Sequence, residues 1–192
     1  RGLPIYATRD WHPADHCSFR SQGGPWPEHC VTFSRGAQYA PNLKLLRSVQ
    51  VISKPSGRDE ETYSGFDGTD FESQLREGGV SRLFIGGLAT DYCVLYTVLG
   101  ARKRGFEVYF LRDAIRPVNA QPEDGKKAEQ KMKRAGAVPL ERNQLATPSI
   151  ESSSLLTDLY ELTMLQAYFL NQMKETAVFE FFIRELPANR NF

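Results

Sequence analysis

The segment Ile85-Gly86-Gly87-Leu88-Ala89-Thr90-Asp91-Tyr92-Cys93 puts a cysteine where an apolar strand, after two glycines, turns into a helix. Amide N–H groups in a first helical turn lack intrahelical acceptors, and the helix dipole is positive there. A thiol at that mouth is therefore drawn towards the thiolate, its nucleophilic form. The same amides could hold the oxyanion of a tetrahedral intermediate. Most buried cysteines only fill space, but a strand, a glycine turn and a helix start in succession favour a nucleophile at Cys93. Lys54, in Val51-Ile52-Ser53-Lys54-Pro55, follows another strand. Close to a thiol its charge would favour the anion; elsewhere it is one more solvated lysine, and the sequence leaves both open.

A second group lies upstream. All three histidines of the chain, His12, His16 and His29, fall within Arg9-Asp10-Trp11-His12-Pro13-Ala14-Asp15-His16 and Trp26-Pro27-Glu28-His29-Cys30. Asp10 and His12, two apart at a strand end, project to one side. A carboxylate with imidazoles suits zinc, manganese or iron, with positions left for water or a ligand. Cys17 and Cys30 each adjoin a histidine, but their spacing fits no zinc finger, and packing is the better account of both.

These groups need a scaffold that delivers strand ends to one place. Residues 4–8, 49–53, 81–85, 106–111 and 137–140 read as strands, and residues 91–104 and 122–135 as helices. Thr90 is available to cap the first helix and Gly105 to stop it. The second carries acids early and bases late, as its dipole prefers. A strand-then-helix order implies an α/β fold with a doubly wound, mostly parallel sheet and helices on both faces, its functional groups at the carboxyl ends of the strands. Composition shifts near Ala146. Residues 146–154 read as a linker, residues 155–173 as an amphipathic helix and residues 177–183 as a strand. That helix and strand cannot bury their apolar faces alone, which marks residues 155–192 as the start of something larger.

With 192 residues, 41% hydrophobic and 24% charged, the chain has the composition of an ordinary globular protein. A net charge of +1 gives no electrostatic basis for binding nucleic acid or an anionic membrane. No apolar run approaches the roughly 18 residues of a spanning helix. Three cysteines cannot all pair with one another, so a reducing, cytoplasmic compartment is expected.

Four blocks, in order, carry a family resemblance. They are Thr8-Arg9-Asp10-Trp11-His12-Pro13; Gly23-Gly24-Pro25-Trp26-Pro27-Glu28-His29-Cys30-Val31; Tyr63-Ser64-Gly65-Phe66; and Gly87-Leu88-Ala89-Thr90-Asp91-Tyr92-Cys93-Val94. Over residues 1–145 the chain resembles the nicotinamidase branch of the isochorismatase-like hydrolases. The resemblance implies Cys93 as nucleophile and Lys54 as the basic member of its catalytic group. It also implies a cis peptide at Leu88–Ala89 that turns the Ala89 amide, with that of Cys93, towards the oxyanion. Asp10, His12 and His29 would hold a divalent metal, zinc first, with His16 an outer partner. Trp26, Tyr63 and Tyr92 would border the pocket of a pyridine ring. The implied reaction is hydrolysis of nicotinamide to nicotinate and ammonia through a thioester, as part of NAD salvage. The expected partner is that small molecule, with neither nucleic acid nor membrane, and self-association into a homo-oligomer is left open. Another amidohydrolase of the superfamily and a non-catalytic metal-binding module are the alternatives.

One departure stands out. The family's third catalytic member is an aspartate on its first, central strand, in an Asp-x-Gln-x-Asp-Phe-like segment, and nothing in the chain matches it. The expectation is a truncated domain, inactive and poorly folded as it stands, with the neighbouring strands left without a ladder partner. The tail has its own likeness: Leu155-Leu156-Thr157-Asp158-Leu159-Tyr160 and Val178-Phe179-Glu180-Phe181-Phe182 resemble the opening of nicotinate phosphoribosyltransferases. That likeness implies a substrate-side role for Tyr160 and a fusion in which one enzyme makes the other's substrate.

Overall fold

Short runs rich in β-branched and aromatic residues form the strands, and the turns between them fall at glycine and proline. The computed structural model describes residues 4–40, 43, 45, 47–55, 57–145 and 176–180. Strand β1 spans Ile5–Trp11, β2 Gln50–Pro55, β3 Arg82–Leu88, β4 Glu107–Arg116, β5 Val138–Leu140 and β6 Thr176–Glu180. The helices are α1, Phe71–Glu77; α2, Leu95–Lys103; and α3, Asp124–Arg134. The six strands form one sheet in the order β2-β1-β6-β3-β4-β5. Every pairing is parallel.

Within the described residues the strands and helices fall where the sequence places them, with shifted ends. Strand β4 runs on to Arg116, well past the expected residue 111. Helix α1 is absent from the sequence reading. Its seven residues carry just two buried apolar side chains, Phe71 and Leu75, too short a stripe to register as a period. The expected helix at 91–104 opens differently from a capped α-helix. Thr90–Val94 form a π-helical turn, its cap position is Ala89, and no side chain caps it. Thr90 lies inside the turn, so its hydroxyl is not a cap. Gly105, with φ of 85°, follows the end of α2 in the left-handed region that glycine adopts without strain.

Tyr6, Ile52, Leu83, Ile85, Val108 and Phe110 from the strands join Phe71, Leu75, Leu95, Val98, Ala101, Ala128 and Met132 from the helices in one buried cluster. Strand partners share a face, so the three helices cover the same side of the sheet. On the other side Phe84 stacks on Tyr109 with ring centroids 5.1 Å apart, and Arg82 pairs with Glu107 at 2.8 Å. Among the described residues no helix covers that side.

The centre of the sheet overturns an expectation. Strands β1 and β3 do not lack a ladder partner: β6 lies between them. Ile5 and Tyr6 are level with Val178 and Phe179, and residues 82–86 of β3 are level with residues 176–180. A vacant place between two parallel strands exposes unpaired N–H and C=O groups on both flanks, and a short extended segment satisfies both rows at once. The tail strand is thus part of the hydrolase-like sheet, while the expected helix at 155–173, the linker and Tyr160 lie outside the described residues. Replacing Val178 with proline removes a donor from this central ladder. We expect the variant to melt earlier, with a loss of about 1–3 kcal/mol or more, as read by thermal or urea denaturation. An unchanged midpoint would place the strand outside the sheet.

Candidate active site

The carboxyl ends of β1, β2 and β3 deliver their side chains to one place. Parallel register sets Asp10 of β1 opposite Lys54 of β2, and β3 leads through Leu88 and Ala89 into the turn that carries Cys93. The Lys54 ammonium lies 2.5 Å from Asp10 Oδ1 and 3.1 Å from Cys93 Sγ, and it also donates to the Tyr63 carbonyl at 3.2 Å. All three side chains are buried, at 7% exposed for Asp10, 2% for Lys54 and 5% for Cys93. The Leu88–Ala89 peptide is cis. The turn itself is pinned from outside, because the Asp91 carboxylate accepts the Val118 and Asn119 amides at 2.9 and 2.8 Å.

Charge in this cluster follows from burial set against pairing. Burial alone would raise the Asp10 carboxyl, but the adjacent Lys54 ammonium holds it below the usual range. Burial works against the Lys54 charge too, and the combined attraction of Asp10 and Cys93 outweighs it, so the lysine stays protonated above its ordinary range. Cys93 differs. Burial raises its pKa, Asp10 adds to the rise, and the pull of Lys54 and a backbone hydrogen bond from Ala89 do not cancel them. The sequence reading drew this sulfur towards the thiolate; burial works the other way and favours the thiol, and the pull of the Lys54 ammonium only partly offsets it.

Asp10, His12 and His29 bring one ligand atom each to within 4.8 Å of one another. Two imidazoles and a carboxylate, two of the three buried, form a donor set that fits a divalent metal ion. The His29 Nδ1 is 2.8 Å from the Pro27 carbonyl, which orients the ring and leaves Nε2 for a ligand bond. His16 has both ring nitrogens engaged, with Ser18 Oγ at 2.7 Å and the Glu60 carbonyl at 2.9 Å, and it stacks on His12 at 4.1 Å. It supports the cluster from behind. The loop holding Trp26 and His29 folds tightly over Phe19, where Gly24 leaves no room for a Cβ: one would lie 2.2 Å from the Ser18 backbone.

The aromatic residues gather beside the thiol. Trp26 and Tyr92 meet edge to face at 5.0 Å, and Tyr63 lies 5.3 Å from Tyr92. Two members were missed in the sequence. Tyr96 stacks on Tyr63 at 5.5 Å, and Glu61 accepts the Tyr63 hydroxyl. Tyr96 could have been found, since it follows Tyr92 by one helical turn; Glu61 lies in a loop with no period to betray it. Cys17 and Cys30 are free thiols, the first half-buried and the second buried. Among the described residues, two buried hydroxyls, Thr8 and Thr90, have no hydrogen-bond partner.

A parallel sheet with a buried cysteine, lysine and carboxylate at its carboxyl edge, the carboxylate shared with a cluster that could hold a metal ion, fits a hydrolase of the amidohydrolase class. The chain belongs to the isochorismatase family, whose domain matches residues 1–144. It is 38% identical over 158 residues to a nicotinamidase of Escherichia coli, covering 71% of this chain and 74% of that protein. The crystal structure of a pyrazinamidase of Pyrococcus horikoshii in complex with zinc is similar at a TM-score of 0.69 and 48% identity, covering 73% of this chain and 76% of that one. The nicotinate phosphoribosyltransferase N-terminal domain matches residues 155–192. A nicotinate phosphoribosyltransferase of Mycobacterium tuberculosis is 56% identical over 39 residues, which are 20% of this chain and 8% of that enzyme.

Burial takes the His12 imidazole from an ordinary 6.5 to about 4, with Asp10 opposing the fall and the cations around it adding to it. The unfolded chain therefore binds a proton below 6.5 that the folded, metal-free chain refuses until about 4. In chelated protein we expect stability to be full above about pH 6.5 and to fall by up to about 3 kcal/mol as pH drops towards 4. Urea melts across that window check the slope, which His12→Asn should flatten.

Proposed function

We propose that this site hydrolyses nicotinamide to nicotinate and ammonia through a covalent intermediate on Cys93. The observation that carries the reading is the buried Lys54 ammonium held between Asp10 and the Cys93 sulfur, at 2.5 and 3.1 Å. The identity to a nicotinamidase over most of the domain supports the choice of substrate.

In this mechanism the pyridine ring lies against Trp26, Tyr63 and Tyr92, whose faces and edges complement a flat electron-poor heterocycle. The sulfur of Cys93 adds to the carboxamide carbon, and the carbonyl oxygen takes the negative charge. The backbone amides of Ala89 and Cys93 receive that charge. Lys54 holds its charge beside the sulfur throughout, which favours the anion at the moment of attack. The C–N bond then breaks, and the thiol's proton ends on the departing ammonia. Water attacks the thioester, restoring the thiol and releasing nicotinate. Asp10, His12 and His29 would hold the metal, zinc being supported by the zinc-bound relative. When bound, it would supply positive charge to orient a ligand lone pair and to polarise water. The carboxylate facing Lys54 here is Asp10, so one side chain serves both the metal set and the lysine.

By its family match we assign residues 155–192 to the start of a nicotinate phosphoribosyltransferase-like domain, joined through residues 146–154 to a hydrolase domain over residues 1–145, with strand β6 of that segment paired into the hydrolase sheet. The family match to the tail supports that fusion, in which the first activity makes the second's substrate within NAD salvage. Tyr160 would take its substrate-side place in that second domain. Free cysteines at 17, 30 and 93 suit a reducing cytoplasm. Among the described residues no helix is long and apolar enough to cross a membrane.

Ammonia release from nicotinamide, measured in a protein that also carries the family's first-strand aspartate, tests the reading directly. Cys93→Ala should abolish it, and equal release from both proteins would end the cysteine mechanism. Lys54→Met should lower turnover and also destabilise the fold by about 3–5 kcal/mol, because it strands the Asp10 charge in the interior. A denaturation midpoint unchanged by that substitution would argue against a buried pair.

A further inference from the structure

Tyr63 joins two parts of the site. Its carbonyl accepts the Lys54 ammonium at 3.2 Å, so its backbone helps to hold the lysine. Its phenol oxygen accepts the Trp26 indole N–H at 3.2 Å, and the same hydroxyl donates to Glu61 Oε1. A directed chain results, from indole to phenol to carboxylate, and it ends on a charged acceptor. Bonds that end on an ionised group are shorter and stronger than neutral ones. Each link also fixes the proton direction of the next, so the carboxylate orients the phenol, and the phenol presents its lone pair to the indole.

We propose that Glu61 is a positioning residue for ring recognition: its carboxylate locks Tyr63, and through Tyr63 locks Trp26, as the aromatic wall against which the substrate packs. Glu61 lies in an exposed loop position, while Trp26, Tyr63 and Tyr92 are half-buried. The carboxylate therefore does no packing that a loss of stability would reveal. What it supplies is order in the wall before the ligand arrives. Immobilising rotamer-rich side chains opposes binding, and a wall already held in place avoids that cost. The stack of Tyr63 on Tyr96 at 5.5 Å braces the phenol from its other side but cannot set the direction of its hydroxyl.

This inference rests on the nicotinamide reading of the pocket, and the test separates the two. Nicotinamide binding is measured by calorimetry in the Cys93→Ala protein, so that turnover plays no part, and again after adding Glu61→Ala, Glu61→Gln or Tyr63→Phe. Glu61→Ala should weaken binding about three- to tenfold at an unchanged melting temperature. Glu61→Gln, which keeps an acceptor oxygen at the same reach, should recover most of the loss. In the Tyr63→Phe background, where no hydroxyl remains to hold, Glu61→Ala should have no further effect. Unaltered affinity in Glu61→Ala, or an equal loss with and without the Tyr63 hydroxyl, would overturn the inference alone. Failure of the Cys93→Ala protein to bind nicotinamide at all would remove both this inference and the reading beneath it.

Discussion

A single buried ammonium organises the site. Lys54 has a carboxylate on one side and a sulfur on the other, with a backbone carbonyl as a third acceptor. Neither charge of the Asp10–Lys54 pair would be stable alone at that depth, so each fixes the ionisation of the other. The parallel register that sets Asp10 level with Lys54 is thereby under a double constraint. A slip of one residue would turn the carboxylate to the far face of the sheet and leave the lysine charge without its partner. The thiol is the flexible third member. Burial favours its protonated form, and the ammonium already shared with Asp10 opposes that only in part.

Much of this was readable from residue order, for a definite reason. In parallel sheets functional groups collect at strand ends, and Asp10, Lys54 and Cys93 each stand at or just beyond such an end. The strand runs themselves were plain, since β-branched and aromatic clusters stood between glycines and prolines. What stayed hidden depends on pairings far apart in the chain. The direct Asp10–Lys54 contact spans 44 positions and follows only from the register of β1 against β2. The protonation state of Cys93 depends on burial, which spacing does not report. Helix α1 was too short to show a period, and the π-helical turn at Thr90–Val94 read as an ordinary helix start because it runs straight into α2.

The aromatic wall shows a further limit of local patterns. Trp26, Tyr63 and Tyr92 stood out through the blocks that carry them, whereas Glu61 stands two residues before one of those blocks and belongs to none. Its relation to Trp26 passes through a hydroxyl contributed by a third residue. No pairwise rule of spacing captures an arrangement of that kind, because each participant is ordinary until all three are together.

Strand β6 has a consequence for the order in which the molecule can assemble. Among the described strands it is the last in sequence yet the third across the sheet, flanked by β1 and β3. During synthesis β1 and β3 leave the ribosome long before the segment that separates them. The central ladder must therefore wait for contacts of very large sequence separation, the kind that form slowly.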